Sequence, residues 1–269
     1  MLTFVIPVRH HATAKDWRAI RTRMAVTLRS LRAQESDEWN AVIVANHGAD
    51  LPADLRRCDV VRVDLAPNAL DPSAGQEAVW QAIRRDKGRR LLKGLLHART
   101  MGMLRGHVMV VDYDDMVSRR LAGFVAQDPH AYGWYVNAGY MFSGERLLFS
   151  YPREFFELCG TSHIVRADLL DLPADEDHAT EAYVSRTLGS HKFIKRDLEA
   201  RGTPLAPLPF PGAIYRMGHG DTASGSTSMV RYSLRKESLR RPVSLARQLA
   251  KFRFMGATLA NEFFDGHPG

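Results

Sequence analysis

Along its first half, this chain alternates short β-branched apolar runs with longer segments whose apolar residues recur every three or four positions. Residues 2–8 (Leu-Thr-Phe-Val-Ile-Pro-Val) read as a first strand, with Pro7 near its end, where a missing N–H is tolerated. Trp17, Ile20, Met24, Leu28 and Leu31 then follow at helical steps and predict a helix over about Lys15–Ala33. Ala41–Ala45 and Asp59–Val63 are two more strands. Residues 75–103 read as largely helical, with a break near Gly88. Val108–Val111, led in by Gly106, has the composition of a buried parallel strand, and a helix is expected over about Val117–Ala126. Such strand–helix alternation predicts an α/β fold with a mostly parallel, doubly wound sheet.

The rhythm changes after residue 126. Gly133–Phe142 is rich in aromatics and turns, which suggests short antiparallel additions. Thr161–Arg166 and Gly212–Met217 are further short strands, and Pro204–Pro211 is a proline-rich loop. His178–Leu188 reads as a helix whose start is marked by Asp175-Glu176-Asp177, acids that suit a helix N-terminus. Ser244–Phe264 reads as a C-terminal helix. No internal repeat is evident. The expected organisation is one catalytic domain over 1–228, with a first half over 1–125 and a second over 126–228, followed by a basic extension over 229–269.

The 269 residues suffice for a substantial core. Two cysteines, Cys58 and Cys159, make no disulfide framework, so a reducing compartment is expected. Residues 1–7 enter a strand directly, without the pattern of a signal peptide, and no apolar run is long enough to span a bilayer. A cytoplasmic location follows as the expectation. The net charge of +7 is all in one place: eight basic residues and the single acid Glu237 lie between Arg231 and Arg253. The rest is near neutral, which argues against a nucleic-acid partner.

The most informative chemistry sits where the strand Val108–Val111 runs into Asp112, Asp114 and Asp115. In open α/β sheets ligands bind beyond the carboxyl ends of the strands. Adjacent carboxylates repel, and a cation relieves that repulsion. All-oxygen ligands suit Mg²⁺ or Mn²⁺. These acids therefore point to metal-assisted handling of a phosphorylated ligand. In the plainer reading Asp115 caps a helix starting near Met116 and the others are solvated.

Taken in order, the N-terminal Phe-Val-Ile-Pro-Val strand, Trp39-Asn-Ala-Val-Ile-Val-Ala-Asn-His-Gly48, a basic helical segment and Val-Val-Asp-Tyr-Asp-Asp resemble a nucleotide-sugar-dependent glycosyltransferase of the GT-A fold, close to family-2-like bacterial enzymes. The resemblance covers residues 1–125 and is patchier to about residue 221. It implies a nucleoside-diphosphate sugar donor, with UDP favoured, and a glycan or lipid-linked acceptor. By resemblance, Pro7, Val8 and Arg9 contact the nucleoside. Asn46 stands where the family usually has an acid that accepts from the base. Asp112, beside Tyr113, faces the ribose, Asp114 binds the metal bridging the diphosphate, and Asp115 is a second ligand or a support.

Lys87, Arg89 and Arg99 are candidates to meet the diphosphate charge, against the plainer reading of a solvated helix face. His219, in Gly-His-Gly-Asp, is a candidate metal ligand with Asp221 as its orienting partner. An inverting mechanism needs a base for the acceptor hydroxyl. Asp177 and Glu181 are the candidates, and they also suit a helix dipole; a retaining mechanism stays open. Trp134 and Tyr135 offer aromatic faces for an acceptor sugar or for core packing. Gly160-Thr-Ser-His163 is a candidate lining for the donor sugar.

The basic tail, with Leu245, Leu249, Phe252, Phe254 and Leu259, reads either as an amphipathic helix for peripheral membrane contact or as one packed on the domain. Three other functions remain open. A sugar nucleotidyltransferase normally has glycines after its first strand, and Arg9–Ala14 has none. A phosphatase of the haloacid-dehalogenase type usually has its Asp-x-Asp on the first core strand. A nucleotide-sugar-binding protein without transferase activity is the third.

Overall fold

A computed structural model of the chain describes residues 1–68, 72–143, 146–217 and 249–266. Its main sheet uses β1 (Leu2–Pro7), β2 (Trp39–Asn46), β3 (Cys58–Val63), β4 (His107–Val110), β6 (Gly133–Tyr135), β9 (His163–Arg166) and β10 (Ala206–Pro207). The strand order is β10-β6-β9-β4-β1-β2-β3. Every pairing is parallel except the two made by β9, which runs antiparallel to both β4 and β6. A second sheet has the order β12-β8-β7-β11-β5 and is mostly antiparallel. It is built from β5 (Met116–Val117), β7 (Gly139–Phe142), β8 (Leu147–Tyr151), β11 (Ala213–Arg216) and β12 (Phe252–Phe254). This mixed α/β architecture, with a mostly parallel central sheet, short antiparallel additions and a C-terminal helix, is the fold class expected.

β1 is buried along its whole length because both of its faces are covered. Leu2, Phe4 and Ile6 pack on one face with Met24, Leu28 and Leu31 of α1 (Trp17–Arg32). Val5, on the other face, packs with Leu91, Leu92 and Leu95 of α2 (Gln76–Thr100). The side-chain alternation of a strand thus sends α1 and α2 to opposite sides. Asp16 caps α1 by accepting from the Ala19 N–H at 2.9 Å.

Three expectations need correction. α2 runs unbroken through Gly88. A Cβ there would lie 1.9 Å from the Val184 carbonyl oxygen, so the glycine permits close approach to the π-helical turn Tyr183–Leu188 and does not break the helix. The helix expected from Val117 is only α3 (Leu121–Ala126), because Met116–Val117 pairs with β11. Phe252–Phe254 pairs with β8 as a strand, and the C-terminal helix is only α6 (Ala257–Phe264). The alternating Phe-Arg-Phe suits a strand. Leu245 and residues 244–248 lie outside the described residues. Phe263 and Phe264 are buried against Phe142 and Leu148, so this helix turns its apolar face to the domain. No helix among the described residues is long and apolar enough to cross a membrane. Two helices complete the described set, α4 (Phe155–Leu158) and α5 (His191–Ala200); the latter was not foreseen.

Gly88→Ala is expected to lower unfolding free energy by about 1–3 kcal/mol, the usual cost of overpacking. Urea denaturation measures it, and an unchanged midpoint would contradict the close approach.

Candidate functional site

The chain leaves β4 through buried Val111 and turns through the acids, with the Asp115 N–H donating to the Asp112 carbonyl at 3.1 Å. Asp115 is 0% exposed. It accepts from the Thr161 hydroxyl at 2.6 Å, the Cys159 thiol at 3.2 Å and the Arg216 backbone N–H at 3.1 Å. Thr161 Oγ1 in turn accepts from the Asp112 N–H at 2.9 Å. Burial pushes the Asp115 carboxyl well up, with Asp114 and Asp112 adding to it and the Thr161 and Cys159 hydrogen bonds opposing. Asp115 is therefore a structural post. Its expected role as a metal ligand is corrected: it is fully enclosed and its oxygens already serve three donors.

Asp112 and Asp114 remain partly exposed at the strand end. Lys87 reaches Asp112 from α2, with Nζ 2.5 Å from Oδ1; the two side chains are 21% and 29% exposed. Burial alone would lower the Lys87 pKa, but its pairing with Asp112 prevails and raises it. Gly160 closes over the pair, since a Cβ there would stand 2.5 Å from Asp112 Oδ2 and 2.8 Å from Lys87 Nζ.

Toward β1–β3, Arg90 is buried at 1% exposure. Its Nε and Nη2 both donate to Asp86 at 3.0 Å, and Nη1 donates to Asn46 Oδ1 at 2.7 Å. Asn46 Nδ2 donates to the Leu65 carbonyl at 2.7 Å. The amide expected to read the base thus already gives one lone pair of its carbonyl to Arg90. His10 lies beside this cluster, its pKa lowered first by burial and then by His11 and Arg90. Past Pro7 and buried Val8, Arg9 folds back onto the Thr13 carbonyl at 2.8 Å and also meets Tyr113. Burial raises the Tyr113 pKa strongly, and its backbone carbonyl is held by Thr27 at 2.9 Å. Pro7, Val8, Arg9, Lys87 and the acids therefore share one end of the sheet.

Other candidates do not join them. Arg99 donates to the Pro173 and Ala174 carbonyls in the last turn of α2. Twelve residues separate it from Lys87, about 18 Å along the axis. The same anchoring, with Lys93 on Glu176 at 2.5 Å, holds the exposed Asp177 segment along the far half of α2. Glu181 pairs with Arg85 at 2.5 Å and Arg89 at 4.0 Å on an exposed face, apart from Lys87. On this geometry Asp177 and Arg99 lie along the far half of α2, and Glu181 and Arg89 pair with each other. Trp134 is 6% exposed and packs with His107 and Phe124, so it is core. Tyr135 stays at the site end of β6, facing Phe156, with the Lys195 ammonium 5.3 Å from its ring centre. His219 and Asp221 lie outside the described residues.

Several residues of this region escaped the sequence reading. Arg90 looked like one more basic position on a helix. Among the described residues His191, at the start of α5, has a buried Nε2 without a hydrogen-bond partner, as does His163, already a candidate lining. Burial, then Lys87, lowers the His191 pKa to about 4, while Asp112 and the Glu157 carbonyl oppose. Burial, then His191 and Lys195, lowers His163 to about 3. The Leu188-Gly-Ser-His191 turn was the available signal, a helix start after a glycine.

Among the described residues no group of three or more His, Cys, Asp or Glu side chains assembles a metal site. Mg²⁺ and its like are often held by one or two carboxylates with substrate phosphates completing the shell. Asp112 and Asp114 fit that donor set.

No protein-family model matches the chain, and no curated protein matches it. Solved structures do. S. aureus TarS 1–349 in complex with UDP-GlcNAc matches at 14% identity and a TM-score of 0.47, covering 84% of this chain and 61% of that one. The same protein in complex with UDP matches at 12% and 0.45, covering 81% and 60%. Rv0371c from Mycobacterium tuberculosis H37Rv, in complex with manganese, matches at 12% and 0.38, covering 80% and 90%. The chain thus spans about three fifths of the S. aureus structures.

The two histidines set a pH dependence. Unfolded imidazoles take up protons near 6.5, whereas His191 and His163 resist until about 4 and 3. Their contribution is present above pH 6.5 and is lost as pH falls toward 4 and then 3, at up to about 1.4 kcal/mol per pH unit for each. In urea unfolding between pH 7 and 4, His163→Gln should lose stability less steeply than the wild type, the raised Asp115 carboxyl opposing the slope in both. An equal slope in the variant would contradict the assignment.

Proposed function

We propose that this chain is a divalent-metal-assisted glycosyltransferase that moves a sugar from a nucleoside-diphosphate sugar, UDP favoured, to a glycan or lipid-linked acceptor. The observation that carries the reading is the pair Asp112 and Asp114 at the carboxyl end of a central parallel strand, with Lys87 set against Asp112. In this reading the nucleoside lies over Pro7, Val8 and Arg9, and Asp112 with Tyr113 borders the ribose. Asp112 and Asp114 would hold Mg²⁺ or Mn²⁺, which would supply a Lewis acid at the diphosphate. Lys87 adds a fixed positive charge at the same place, and Gly160 leaves room for its pairing with Asp112. Tyr135 faces the acceptor side, and the site works in the cytoplasm, with membrane contact, if any, through the basic extension.

One observation favours a second reading. Asp177 and Glu181 are held away from the carboxylates, which leaves the acceptor base unassigned and suits a nucleotide-sugar-binding protein. Transfer or hydrolysis of the donor distinguishes the two.

Calorimetric titration of UDP, GDP and CMP, each with and without Mn²⁺, tests the reading. One nucleoside diphosphate should bind in a Mn²⁺-dependent way, and Asp114→Ala should weaken it at least about tenfold, roughly 1.4 kcal/mol. No binding of any of the three under either condition would reject it.

A further inference from the structure

Two arginines from elements far apart in the chain flank the acid turn: Arg23 stands four residues before Thr27, whose hydroxyl donates to the Tyr113 carbonyl at 2.9 Å, and the Arg216 backbone N–H donates to Asp115. Arg23 comes from α1 and Arg216 from the end of β11. Arg216 is fixed in place: its backbone N–H donates to Asp115, its guanidinium lies 5.0 Å from the Phe142 ring centre, and Nη2 is 3.9 Å from the Met116 sulfur. Burial lowers its pKa; Asp114 pulls the other way, and Arg23 adds to the burial effect. Among the described residues, Arg216 Nε and Arg23 Nη1 are both buried without a hydrogen-bond partner.

Buried N–H groups in native proteins are nearly always satisfied, and an exception signals an unseen ligand or a functional role. Here two exceptions occur on two cations that repel one another. Guanidinium forks match the geometry of phosphoryl and carboxylate oxygens. The placement is also informative. α1 and α2 cover opposite faces of the sheet, so Lys87 and the two arginines approach the strand-end acids from opposite sides.

We propose that Arg23 and Arg216 form an oxyanion-binding subsite on the α1–β11 side of Asp114, one that takes a phosphoryl or carboxylate group without needing a metal ion. Only the source of that oxyanion rests on the transferase reading: the terminal phosphate of the donor, or a separate anionic group such as one on the acceptor. With a diphosphate bound, Lys87 and the arginine pair hold it from two sides, and the unpartnered N–H groups gain acceptors.

The test is titration of UDP, UMP and inorganic phosphate in EDTA, on the wild-type chain, Arg23→Gln and Arg216→Gln, with thermal unfolding confirming that each variant folds. Arg23→Gln, on a helix, guards against misfolding of the strand variant. The expected result is a loss of UDP affinity of about tenfold or more in both variants, with UMP changed less than about twofold. That result makes the donor's terminal phosphate the source. Unchanged UDP with loss of inorganic phosphate binding supports the subsite and makes a separate anionic group the source. Arginine-dependent phosphate binding in a chain that binds no nucleotide also supports the subsite while rejecting the transferase reading. Equal loss for UMP and UDP, no change for any ligand, or no binding of any ligand to the wild type would overturn the proposal.

Discussion

Asp115 has no solvent exposure, and an enclosed carboxyl is costly unless donors surround it. Thr161, Cys159 and the Arg216 backbone supply them from three separate segments. The carboxyl thereby joins the end of the main parallel sheet to the residues preceding β9 and to the second sheet. Thr161 extends the link by accepting from the Asp112 backbone. The positions of Asp112, Gly160 and Arg216 follow from this one enclosed network. A half-satisfied network would be worse than none, so it specifies a single arrangement of the strand end.

Around that post the charges are distributed by the alternation of β1. Its two faces send α1 and α2 to opposite sides, and each helix delivers cations to the same strand end. Lys87 faces Asp112, Arg90 is locked between Asp86 and Asn46, and Arg216 is held at Asp115 by its backbone N–H. Oriented charges of this kind need not reorganise when negative charge develops near them.

Much of the fold was readable because buried parallel strands are apolar on both faces, as residues 2–8 and 41–45 are. Gly88 misled because glycine permits both helix breaks and close approach, and only the partner, Val184, distinguishes them. The three acids after β4 look alike in a linear chain; burial separates Asp115 from Asp112 and Asp114. For Arg99 topology held the answer: a helix joining parallel strands ends at the side opposite the site. Arg90 and His191 stayed hidden because their significance lies in partners, or missing partners, distant in sequence.

The central claim is that the end of β4 receives the diphosphate of a nucleotide with a divalent ion. A crystal structure of the chain with UDP and Mn²⁺ tests it most directly. The account predicts Mn²⁺ and the phosphates against Asp112 and Asp114, with the nucleoside over the ends of β1 and β2. Nucleotide bound elsewhere, or phosphates remote from both carboxylates, would contradict it.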